Sequence, residues 1–221
     1  MTADRNAPDR PDHPSIFRRL ITGRADRNDL DSAPGRSRAL IIRTLIVTLL
    51  CGALVIGTNV ALVNEPLAPH GVVSLQFAGT TSEVKVILES WGARAVATDG
   101  SAPRLMDSAH RVLWLDFPFM AAYATLFALL CGRLAADELH RGAWRTAHRS
   151  GVAAAWVAGL ADLSENIAHL QLLRQFDAPA ADSLVRWAHV SAGLKWTVIA
   201  LIASLLAAGA LRLLIRRLSA V

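Results

Sequence analysis

The sequence predicts an all-α protein: a four-helix transmembrane bundle, both termini cytoplasmic, with a short amphipathic helix in the first outward loop. Three observations predict it. Hydrophobic residues make up 53% of the 221, above the roughly 45–50% usual for soluble domains. They gather in four blocks near the length of about 20 residues that crosses a hydrocarbon core of about 30 Å. The basic residues segregate between alternate connections, as topology requires. A soluble helix bundle competes with this reading, but the uninterrupted apolar run 197–211 is long for a soluble core helix.

The net charge is +5, and its placement argues for topology over nucleic acid. Nine Arg precede residue 44, four lie at 133–149 and three at 212–217, whereas the other two connections hold six Lys and Arg between them. The positive-inside rule puts the Arg-rich segments in the cytoplasm. The basic segments lack the interleaved aromatics that single-strand binding uses, so no nucleic acid is expected. The location this implies is the bacterial cytoplasmic (inner) membrane, multi-pass.

Residues 1–37 are rich in Arg, Asp, Pro, Ser and Gly and read as a disordered tail. Within it, Ile16, Phe17, Leu20 and Ile21 share a helical side beside Arg18 and Arg19; a short anchor on the inner leaflet and a plain linker are equally good readings. The transmembrane domain then covers 38–217. Its first span, 44–63, follows too many polar residues for a cleavable signal peptide and reads as an uncleaved signal anchor. Cys51 and Cys131 make no disulfide framework and read as buried small hydrophobes.

The outward loop 64–111 is too long to be a bare connection. In "GTTSEVKVILESWG" Thr80 and Glu83 form a capping-box pattern, and Gly92 reads as the helix stop. Val84, Ile87, Leu88 and Trp91 recur at helical spacing, which predicts an amphipathic helix over the outer span ends, with Trp91 at headgroup level. The preceding "GVVSLQFAG" fits a strand or a helix end. No inverted repeat of half-folds is visible.

The second span, 112–132, carries Asp116, Pro118 and Tyr123. Pro118 cannot donate its amide, which predicts a kink beside Asp116. The third span, 151–173, holds "GLADLSENIAHLQLL", where Asp162, Glu165, Asn166 and His169 stand at i, i+3, i+4 and i+7. That spacing is one helical face, and such a face must look at protein or water. The fourth span, 187–211, carries His189 and Lys195. Small residues fill the cytoplasmic halves, where they let helices approach closely.

Counting inward from Arg111, Arg174 and Arg186 at about 1.5 Å per residue places these groups in depth. Glu165 and Lys195 both fall at about 13–14 Å, and Asp116 and His169 at about 7–8 Å. Asp162 and Tyr123 fall near 18 Å, and Asn59 lies near the outer end of the first span. The expectation is one polar layer of Asn59, Asp116, Tyr123, Asp162, Glu165, Asn166, His169 and Lys195, with Glu165–Lys195 and Asp116–His169 as its pairs and Tyr123 as partner of Asp162. A bundle tight inside and open outward makes this a polar pocket, lidded by the 80–92 helix.

Several uses fit such a layer. It is interhelical glue or a functional site. Asp116, Asp162, Glu165 and His169 include metal-ligand types, but "SENIAH" lacks the Glu-x-x-His spacing of di-iron bundles, and H-E-x-x-H is absent. Haem between His169 and His189 is admitted by ligand type alone. Ser164, five residues from His169, is off its face, against a hydrolase triad. No cofactor is therefore expected. The reading is a membrane protein acting as a binding or accessory protein. A membrane-embedded enzyme, metal-dependent or lipid-acting, and an oligomeric proton, ion or small-solute pathway stand as alternatives. The partners implied are the bilayer, a lipid or small anionic ligand, and a second copy or another membrane protein.

"GVVSLQFAGTTSEVKVILESWG", then "LWLDFPFMAAY" and "LADLSENIAHL", resembles an uncharacterised bacterial family of small four-span integral membrane proteins with no assigned activity. The likeness runs from about 45 to 212. It rests on Asp116, Phe117, Tyr123, Asp162, Glu165, Asn166 and Lys195, and departs at Gln76, where an acidic residue is common. It implies membrane residence and one homologous unit, and no chemistry.

Overall fold

The computed structural model describes residues 34–97, 105–137, 142–175 and 181–219. The tail 1–33, with its anchor segment, lies outside them. Among the described residues all regular structure is helical, in six helices: α1 Pro34–Val63, α2 Val72–Phe77, α3 Thr81–Ala97, α4 Leu105–Ala136, α5 Ala143–Arg174 and α6 Asp182–Leu218. Three of them, α1 from Ser37 on, α4 and α6, are long and apolar enough to cross a membrane. α5 matches α4 in length, at 32 residues, but its polar stripe dilutes its apolar run.

The long helices form a row, α1 against α4, α4 against α5 and α5 against α6. α4 lies inside the row, with 56% of its apolar window buried, whereas the windows of α1 and α6 are 0% and 11% buried. Hence α1 is attached through one flank, and Ile46, Leu50, Ile56 and Val60 are exposed.

Each helix runs beyond its sequence-predicted span. α1 starts at Pro34, four residues inside the expected tail; proline suits a first helical position, where no amide partner is lost. α4 passes through Pro118 as one continuous helix, so the expected kink does not interrupt it.

Close contact between the long helices depends on missing side chains. A Cβ on Gly151 would lie 2.8 Å from the Cys131 sulfur, and one on Gly209 would lie 2.8 Å from His148 Nε2. Cys131 is fully buried there, as expected of a small hydrophobe, while Cys51 is half-buried.

Residues 64–97 build a cap over the Arg174 end of the row. "GVVSLQFAG" is the short helix α2. Asn59, on α1, holds its start: Val72 N donates to Asn59 Oδ1 (3.0 Å), and Asn59 Nδ2 donates to the His70 carbonyl (3.3 Å). Gly71 sits at φ 59, where a Cβ would strike Asn59, so this close turn needs glycine.

The capping box of α3 forms as the sequence predicts. Glu83 N donates to Thr80 Oγ1 (3.3 Å), and the amides of Gly79 (2.8 Å) and Thr80 (3.1 Å) donate to Glu83 Oε2. These amides hold the Glu83 carboxyl below its ordinary pKa. The helix does not stop at Gly92 but continues to Ala97; one helical glycine costs only about 1 kcal/mol, too little to end a helix alone. Val84, Ile87, Leu88 and Trp91 are buried against Leu75, Val112, Leu113, Leu172 and Val185. Trp91 is 0% exposed. It therefore anchors the cap from inside, packed among core residues and not on the surface.

Candidate functional site

One face of α5 carries three kinds of residue in succession. Gly151, Ala155, Ala158 and Gly159 allow close packing at one end, Leu170, Leu172 and Leu173 meet the cap at the other, and the polar stripe lies between, all buried. Asp162, Glu165, Asn166 and His169 range from 0% to 2% exposed, and Lys195 is 4% exposed.

Lys195, from α6, is the hub. Its Nζ lies 2.8 Å from Glu165 Oε2 and 3.0 Å from Asp162 Oδ1. Tyr123, from α4, donates to Asp162 Oδ2 at 2.8 Å, and its hydroxyl lies 3.5 Å from the Ala158 carbonyl. His169 Nδ1 stands 3.8 Å from Glu165 Oε1, beyond hydrogen-bond length, and beside the Leu75 backbone of the cap. These contacts join α4, α5 and α6 in one chain running His169, Glu165, Lys195, Asp162, Tyr123.

The sequence-derived pairs fare differently. Glu165–Lys195 and Asp162–Tyr123 form. Lys195 also takes Asp162, because its four-carbon stem spans a helical turn on α5. Asp116–His169 does not form: Asn166 Nδ2 donates to Asp116 Oδ2 at 2.7 Å instead. The cause is that Arg111 does not mark the outer end of this helix. α4 begins at Leu105, not at Arg111, so Asp116 sits deeper than His169 and level with Asn166. Asn59 stands apart from the layer and serves the α2 turn.

Three contacts have no forerunner in the sequence reading. Trp187 Nε1 donates to Ser164 Oγ (2.7 Å), Ser164 and Ser191 hydroxyls lie 3.4 Å apart, and Trp196 Nε1 donates to Gln76 Oε1 (3.4 Å). Ser164 was legible only as lying off the main stripe. That position is why it meets Trp187 on α6.

The cofactor alternatives find little support in the donor geometry. Among the described residues no three His, Cys, Asp or Glu side chains converge so as to hold a metal ion; Asp162 and Glu165 are engaged by Lys195, and Asp116 by Asn166. His189 is exposed near Gly79 while His169 is enclosed, so the two do not face each other across a haem site. Ser164 accepts from Trp187 and meets Ser191, on the α6 side and away from a triad with His169.

Two clefts open on the outer side of α5 and α6, of about 280 Å³ and about 430 Å³. Trp187 lines both, and neither is lined by Asp116, Glu165 or Lys195. Comparison of the chain with family models, curated proteins and solved structures gives no match.

Proposed function

We propose that this chain is a four-span integral protein of the bacterial inner membrane, N and C termini cytoplasmic, acting as a binding or accessory protein. In this reading α5 is the fourth span, and α2 and α3 cap the bundle on the outer side. The resemblance to small four-span membrane proteins agrees with it. The buried layer is the fastener that fixes α4, α5 and α6 as a rigid frame, and ligand contact takes place on the frame's outer surface, with a lipid or a small anionic molecule as the partner.

One observation carries the frame reading: Lys195 is 4% exposed and holds two carboxylates of α5 at 2.8 and 3.0 Å. A buried, charge-paired set of this kind suits register and packing. Lys195→Met tests it. Removing one partner of a buried pair costs about 3–5 kcal/mol, so the variant should lose most of its monodisperse, folded population in mild detergent. Intact Lys195→Met protein that has lost a co-purifying ligand, read by native mass spectrometry, would overturn the frame in favour of a buried pocket.

A second reading keeps one specific support. The chain from His169 to Tyr123 is made of groups that carry protons, which suits a proton or small-solute pathway in an oligomer. Proton uptake into proteoliposomes, abolished by Asp162→Asn, would establish that reading; uptake equal to that of empty vesicles would remove it.

A further inference from the structure

The outer surface of α5 and α6 holds a feature that the buried layer does not use. The smaller cleft runs along α5 past Leu160, Leu163, Ser164, Ile167, Ala168 and Gln171 and is closed by Leu184 and Trp187 of α6. The larger one lies on the other flank of Trp187, beside Ser183, Arg186 and Val190. At about 280 and about 430 Å³ they are open surface furrows, not enclosed pockets.

Trp187 is 61% exposed, yet its indole N–H is tied to Ser164 at 2.7 Å. A free surface tryptophan samples several rotamers. This one is held as a fixed partition between the clefts. Its polar edge is satisfied within the protein, so its ring faces present only hydrocarbon. Leu160 and Val190, each 64% exposed, extend that surface along both furrows.

The charge lies at one end. Arg186, exposed, stands in the larger cleft, and Arg174, also exposed, ends α5 on the other side of the same connection. Asp182, in the first turn of α6, is an opposing charge, as is Asp177 in the same connection, which lies outside the described residues. The Arg186 guanidinium with the Ser183 hydroxyl, both lining the larger furrow, provides planar, multiply donating contacts that match a phosphate. An apolar furrow on each side of a fixed ring, with cationic donors at one end, has the polarity of a two-chain anionic lipid.

We propose that the Trp187 furrows seat an anionic phospholipid, its acyl chains straddling the indole and its phosphate on Arg186. This rests on the membrane-spanning reading above and names the ligand class for it. The occupant follows from charge complementarity: a zwitterionic lipid would fill the furrows equally well but gain less from the guanidinium.

The test uses the full chain in nanodiscs. Acyl-brominated phosphatidylglycerol or acyl-brominated phosphatidylcholine is the quencher, and the Trp187 signal is the difference between the native protein and Trp187→Phe. Phosphatidylglycerol should quench that signal at about fivefold lower mole fraction, the preference that one arginine at a lipid surface supplies. Arg186→Gln, at an exposed position where folding is not at risk, should bring the two lipids together. Equal quenching by both lipids in the native protein overturns the anionic site. Quenching of the remaining tryptophans without Trp187 overturns the furrow itself. If no tryptophan is quenched, the membrane-spanning reading fails as well, an outcome distinct from the other two.

Discussion

Asp162 shows how much one residue's placement depends on its neighbours. Both of its oxygens are used, Oδ1 by Lys195 and Oδ2 by Tyr123. Each contact comes from a different helix, so Asp162 ties α4 to α6 through α5. Tyr123→Phe keeps the ring and removes only the hydroxyl. It should destabilise the protein by about 1.5–3 kcal/mol, the range for a hydrogen bond to a charged group, read as a lowered thermal midpoint in detergent; an unchanged midpoint would show that Oδ2 finds another donor. The i, i+3, i+4, i+7 spacing made the α5 half of this site legible, and Lys195 was its evident counter-charge. Depth counting misplaced Asp116 alone, because Arg111 does not mark the end of its helix. Arg111 is exposed and looks like a boundary, but α4 extends beyond it to Leu105 because Ala109 pairs with the cap as core.

Helices here are placed by what their contact faces lack as much as by what they carry. A Cβ on Gly151 would press on Cys131 and Leu205, whereas a Cβ on Gly57 would meet nothing within 4 Å. Gly151→Val should therefore cost about 1–3 kcal/mol through overpacking, and Gly57→Ala should gain about 0.5–1 kcal/mol from helix propensity. Thermal midpoints measured side by side check the contrast; equal shifts would contradict the packing. The cap helix α3 has its own dependence on pH. Its capping carboxylate, Glu83, has a lowered pKa in the fold, so its contribution is fully present above the ordinary carboxylate value and fades as pH falls through the lowered one. Amide exchange should reveal fraying at the start of α3 under acid conditions in the native chain and at neutral pH in Glu83→Ala. Thr80 and Glu83 could be read from sequence because capping is local. The end of α3 could not, since a single helical glycine is too weak a signal to fix where a helix stops.

The described residues form a row with a cap, not four equivalent helices about an axis. Hydrophobic blocks revealed the number of long helices but not which neighbours they keep, because an apolar side chain suits lipid and protein alike. Thus α1 and α4 look similar in sequence, though one is peripheral and the other lies inside the row. α5 is the opposite case: its polar stripe keeps it outside the three helices apolar enough to cross a membrane, and on the proposed four-span topology the partners that offset that stripe lie elsewhere in the chain.

That separation has a consequence for biogenesis. On the proposed topology α5 reaches the translocon carrying Asp162 and Glu165 before the lysine that answers them has been synthesised. Each acidic residue near a helix centre opposes insertion by up to about 2.5–3.5 kcal/mol. α5 should therefore linger at the lateral gate until α6 arrives, and the two should leave as a hairpin. A chain terminated after Ala181 and translated into membrane vesicles should leave the 151–173 segment open to protease, whereas the full-length chain protects it. Protection in both would mean that α5 partitions alone, with α4 and Tyr123 sufficient to receive it. On that topology, the charge that secures the finished bundle also sets the order in which its helices can be committed to the bilayer.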